Sequence, residues 1–300
     1  MPVTAATALH STLCFSSQTP SNAHNPLTNL SAKPTKSLLH KHPLYTPLQT
    51  NITTQIQEKI LCLEIMGIDS GEALSQNPHL HSASLDSIHA IISFLHLKGV
   101  RQSDLARIFG MCPQLLTSNV KSDLTPVFDF LQYNLKVPEN NFRKVVNKNP
   151  RLLICSVRDQ LKPCLNYLQR LGFKDLGNLA YQDSILLVSN VENTLVPKLK
   201  YLESIGLSED EAIGMVLRCP SLFTFSVEHN FKPKFEYFVE EMKRDLEELK
   251  EFPQYFSFSL ENRIKPRYLE ISESRVEMSL AVMLKSTDEE FKELLSGGGG

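Results

Sequence analysis

A proline-led phrase returns down this chain at a nearly constant interval, and few folds can use such an interval. The clearest copy, Asn149–Gly172, reads NPRLLICSVRDQLKPCLNYLQRLG. Pro150 opens it, and Pro163 follows thirteen residues later. Leu152, Leu153, Val157, Leu161, Leu165 and Leu168 advance by steps of one, four, four, four and three, which sets them on one helical face. Gly172 stands where a left-handed residue commonly closes a helix. The same register runs from Pro113 to Pro126, from Ser184 to Pro197, from Pro220 to Pro233 and from Pro253 to Pro266. A weaker copy starts at Pro78, one residue shorter and with Ala90 or Ile91 in place of the second proline. The starts lie 35, 37, 34, 36 and 33 residues apart. The spacing predicts an all-α fold, a helical-repeat solenoid. Each repeat is a longer helix, a glycine or polar turn, a shorter helix and a proline-led tight turn, and it buries its core only against its neighbours.

Residues 1–50 differ in kind from the rest. From Met1 to Gln57 there is no Asp or Glu, sixteen positions are Ser or Thr, and six prolines show no apolar period. Such a stretch cannot bury enough surface to offset its ordering entropy. Acid-poor, Ser-rich composition marks an organelle transit peptide, and the lack of arginine before Arg101 favours the chloroplast over the mitochondrion. The plain alternative is a disordered tail. The expected division is therefore 1–50 transit peptide, 51–296 repeat array with a C-terminal cap, and 297–300 disordered tail.

Ile52 to Gly67 reads as the first helix, with Asp69 capping the short helix that runs into Pro78. Ser208 and Glu211 form a capping box for the short helix ending at Cys219–Pro220. The second proline of each copy is expected in the first turn of the longer helix. After Phe238 the charged stretch EEMKRDLEELKEF reads as a solvated helix interrupting the pattern. Val276–Leu295 reads as the cap that closes the open end.

Enzymatic chemistry finds no support. There is no phosphate loop, no dinucleotide glycine fingerprint and no nucleophile signature. The six cysteines form no C-x-x-C pair and lack histidines at ligand spacing, so they read as small apolar filler, and no metal or cofactor is expected. No apolar run approaches the roughly 18–20 residues that span a bilayer.

The phrase N-P-x-L-L, the thirteen-residue proline spacing and the closing glycine resemble the repeat of the mitochondrial transcription termination factor family (mTERF), over about residues 52 to 295. The tail SLAVMLKSTDEEF is also similar to that family's C-terminal segment. The resemblance implies a curved half-ring of paired helices with a concave, basic path for nucleic acid. It also implies a non-catalytic role in organelle transcription termination or regulation and in transcript processing.

Local charge agrees with a polyanion partner, double-stranded DNA or RNA. Lys136 to Lys174 holds nine basic residues against two acids. Basic residues also recur beside the second prolines, and a residue repeated at one solenoid register forms a ladder suited to phosphates. The candidates are Lys144, Lys148, Arg151, Arg158, Lys162, Arg170, Lys198, Lys200, Lys232, Lys234, Arg263, Lys265 and Arg267. Lys148 and Arg218 have a simpler use, complementing helix C-termini. Tyr167, Tyr201, Phe223, Tyr237 and Phe256 fall on or beside the core stripe, where packing outweighs base stacking as a role. The competing function is a helical scaffold for transcription or RNA-processing proteins.

Overall fold

The computed structural model describes residues 47–182, 184–274 and 276–297; residues 1–46 of the expected transit peptide lie outside them, and its last four residues belong to the first helix. Within the unit that starts at Pro47, each proline phrase folds the same way. A proline ring pushes the residue before it out of helical geometry. Asn77, Cys112, Asn149, Cys219 and Phe252 accordingly take φ between -126° and -143° and end their short helices. Tight 3-10 turns follow at Pro78–His81, Pro113–Thr117, Pro150–Ile154, Pro220–Thr224 and Pro253–Ser257, with a single α-turn at Ser184–Leu187. Adjacent apolar residues in these turns, such as Leu152 with Leu153 and Tyr255 with Phe256, are buried.

The long helices start from Asn119, Ser156, Asn190, Ser226 and Ser259, whose side chains accept from backbone N–H groups two or three residues on. Their first turn is a π-turn, and this corrects the expected place of the second proline. Pro126, Pro163, Pro197, Pro233 and Pro266 lie seven residues beyond the cap, not in the first turn. The residue before each proline donates five residues back, as Lys162 does to the Val157 carbonyl. Proline has no N–H, and its ring collides with the carbonyl four residues back, so the widened turn accommodates it.

Long helices end in left-handed residues. Gly67, Gly99, Gly172 and Gly206 have φ from 75° to 108°, while Lys136 and Lys243 serve the same turn at φ 57° and 50°. In those two copies a second π-turn, at Phe130–Asn134 and at Tyr237–Glu241, adds a residue and displaces the turn. The charged stretch after Phe238 is thus not an interrupting helix. It contains the turn at Lys243 and an ordinary short helix, Leu246–Glu251, with Leu249 and Phe252 buried. The first helix begins at Pro47, earlier than expected. The chain ends in helices Leu280–Lys285 and Asp288–Gly297, which bury Leu280, Met283, Leu284 and Phe291.

Neighbouring copies are clamped by polar contacts as well as by apolar packing. Buried Asn77 donates to the Pro113 carbonyl at 2.9 Å and to Thr117 Oγ1 at 3.0 Å, and Asn149 donates to the Ser184 carbonyl at 3.2 Å. The asparagine of the N-P phrase is therefore an inter-repeat clamp. In the later copies aromatic rings carry the core, with Phe231 stacked on Tyr201 and edge-on to Phe256.

Candidate nucleic-acid interface

The thirteen candidate cations divide into three groups by what their charged ends touch. Five reach carbonyls of the next copy. Lys198 donates to the Phe223 carbonyl, Lys234 to that of Phe256 at 2.6 Å, and Arg267 to that of Met283 at 2.6 Å. All three follow the second proline directly, at a position where Val127 and Cys164 are buried; Lys234 and Arg267 are buried there too, and Lys198 is half-buried. Cys164 even places its thiol on the Leu186 carbonyl. Lys59, eight residues before Gly67 as Lys198 is before Gly206, bonds the carbonyls of Leu80, His81 and Ala83. The register faces inward: the aliphatic stem fills core, and the charged end meets carbonyls left over at the end of a 3-10 turn or, for Arg267, of helix Leu280–Lys285. Burial pulls the Lys234 ammonium down to about 8 and lowers Lys198 and Lys59 as well. Arg263 bonds the Leu284 and Ser286 carbonyls, and Arg267 also grips Asp288.

The fifth, Lys148, donates to the carbonyls of Tyr181 and Gln182. Arg107 and Arg218 do the same to Asn147 and Lys250. Each of these side chains meets the negative C-terminal end of the next copy's short helix. Two further candidates are paired within their own helix, Lys232 with Glu228 at 2.6 Å and Lys265 with Glu261. The expected ladder beside the second prolines is thus an internal fastening at Lys198, Lys234 and Arg267, not an outer phosphate track. Arg143, part of the basic stretch, is likewise held by Asp104 at 2.7 Å, which draws that carboxyl down to about 2.

Six candidates remain on the surface: Lys144, Arg151, Arg158, Lys162, Arg170 and Lys200. Lys144 sits over the Tyr181 ring. Arg158 has only a 3.9 Å contact to Asp159 with its side chain 94% exposed, a surface pair of little strength. Arg158 and Lys162 share a cleft of about 660 Å³ between the Pro113 and Pro150 copies. Gln114, Ser118 and Ser122 line its other side, with Pro126, Ile154 and Val157 as its apolar surface. These residues escaped sequence reading because a glutamine or serine near a cap looks like any other turn residue. At the second position after the cap, Lys121 and Arg158 give way to Glu192, Glu228 and Glu261. The sign of charge therefore reverses along one register. Residues 47–174 carry 14 basic against 10 acidic side chains, and residues 175–300 carry 14 against 23.

The candidate aromatics pack: Phe223 and Phe256 are buried, and Tyr167, Tyr201 and Tyr237 are half-buried against the core. Among the described residues no group of acidic, His or Cys side chains could hold a metal ion, and no helix is long and apolar enough to cross a membrane.

Paired helices, proline-led turns and copies clamped end to end define an all-α helical-repeat array. The chain belongs to the mTERF family, whose family model matches residues 28–178 and 179–292. It is similar to "Transcription termination factor MTERF2, chloroplastic" of Arabidopsis thaliana, 31% identical over 163 residues, 54% of this chain and 20% of the relative. "Transcription termination factor MTERF8, chloroplastic" of the same plant is 27% identical over 225 residues, 74% of this chain and 44% of the relative. "Transcription termination factor MTERF4, chloroplastic", also from Arabidopsis thaliana, is 34% identical over 91 residues, 30% of this chain and 17% of the relative. The chain thus spans less than half the length of each of these relatives.

Proposed function

We propose that this protein is a non-catalytic, nucleic-acid-binding regulator of chloroplast gene expression, acting in transcription termination or regulation and in transcript processing or accumulation. Membership of the family and the names of the chloroplastic relatives support the setting. The observation that carries the binding surface is the charge reversal: exposed Arg158 and Lys162 border the cleft between the Pro113 and Pro150 copies, while later copies present glutamates in the Arg158 register. The contact is therefore concentrated on the basic copies, with Arg151 and Lys144 as further phosphate contacts, rather than spread down the array. Residues 1–50 serve as the transit segment in this reading, which import of a fusion bearing them into isolated chloroplasts checks.

The test is binding of the full chain to duplex DNA and to single-stranded RNA across a salt series. Each phosphate contact adds about 0.7 to 0.9 to the slope of log affinity against log salt. Arg158→Glu with Lys162→Glu is expected to weaken binding about tenfold or more and to flatten that slope by about 2. Salt-independent or absent binding by the folded protein would reject the reading. A scaffold for basic protein partners is the second reading, favoured by the acidic excess after residue 174.

A further inference from the structure

We infer that the cleft between the Pro113 and Pro150 copies takes one unstacked nucleotide of a single-stranded nucleic acid. This inference rests on the nucleic-acid-binding reading and specifies its ligand. The cleft, about 660 Å³, falls within the roughly 300–1,000 Å³ of small-molecule sites. Its chemistry is two-sided. Pro126, Ile154 and Val157 supply an apolar surface, and Ile154 stays 43% exposed although it belongs to a turn whose leucines are fully buried. Arg158 and Lys162 supply positive charge at the same cleft.

A duplex presents phosphates and groove edges while its base faces remain stacked, so it would satisfy the two cations and leave the apolar surface bare. A single strand offers both at once, a base face for the aliphatic surface and a phosphate for the cations. The Arg158 guanidinium, planar and with its side chain 94% exposed, has the geometry to lie over a base as well as to meet a phosphate. Asp123 also lines the cleft, its carboxylate accepting from the Asn119 N–H at 2.8 Å and the Ser122 hydroxyl at 2.7 Å. Its charge repels phosphate from that side and directs it to Arg158 and Lys162. Purely electrostatic binding has no use for an apolar wall. Here one stands beside Lys162 and the exposed Arg158, the latter in a register where the later copies carry glutamate.

The experiment compares the full chain's affinity for a short labelled RNA, for DNA of the same sequence and for the blunt DNA duplex, at one salt concentration. The single strands are expected to bind about tenfold tighter than the duplex. Ile154→Gln, which puts a polar amide of similar length in place of the apolar contact, is expected to abolish that preference while leaving duplex affinity and its salt slope unchanged. Ile154→Ser, which removes the apolar contact without filling the space, is expected to reduce the preference at least threefold. Both changes fall on a partly exposed side chain, and a thermal melt confirms folding. Equal or tighter binding of duplex by the native protein overturns the inference and leaves the wider reading intact. So does an unaltered preference in both folded variants. Absence of salt-dependent binding to any of the three ligands overturns both.

Discussion

Lys234 shows how a charged side chain comes to be an interior part. Its amine lies 2.6 Å from the Phe256 carbonyl with the side chain buried, and desolvation lowers its pKa from 10.5 to about 8. In the unfolded chain the amine keeps its proton to about 10.5, so between pH 8 and 10 the unfolded state binds more protons and stability rises with pH. Thermal melts of the native protein and of Lys234→Met are expected to diverge over that window, the native protein gaining roughly 1–3 kcal/mol relative to the variant. A constant difference would mean the ammonium is not desolvated. Asn149 makes the same point with a neutral group. Asn149→Ala strands the Ser184 carbonyl in the interior, and urea unfolding should show a loss of about 1–3 kcal/mol. The N-P phrase was legible as a repeat mark, but its clamping role was not, because the partner carbonyl is 35 residues away.

At the level of elements, hydrophobic spacing and prolines located the helices, and their ends followed local chemistry. The Asp69 cap, the Ser208–Glu211 capping box and the four glycine turns all stand where the residues indicate. What local chemistry did not reveal was the π-turn before each second proline, or the extra residue that moves two turns onto lysine. Lys136 and Lys243 occupy a backbone region that costs a side chain about 1 kcal/mol or more, while sister copies use glycine. Lys136→Gly and Lys243→Gly are each expected to stabilise the protein by about 0.5–1 kcal/mol in chemical denaturation. Destabilisation by either would show that the lysine stem is packed rather than strained. The charged stretch after Phe238 was misread for the same reason: a left-handed residue other than glycine carries no mark in the sequence.

Across the whole array, the recurrence of basic residues beside the second prolines suggests a basic ladder, and the three-dimensional arrangement breaks it into parts with different duties. Lys232 and Lys265 are neutralised by Glu228 and Glu261 one helical turn away. Lys232→Gln with Lys265→Gln is therefore expected to change affinity for nucleic acid less than twofold in filter binding or anisotropy, unlike reversal at Arg158 and Lys162. A loss as large as that reversal gives would restore the continuous ladder. The sequence by itself determined the helical class, the repeat length, the family and most helix ends. Those depend on periodicity and on contacts within a few residues, which spacing records. Only the tertiary structure decided which cations are free. Whether a lysine faces water or a carbonyl depends on the copy stacked against it: Lys232 and Lys234 flank the same proline, yet only the Lys234 ammonium is enclosed on a carbonyl of the next copy.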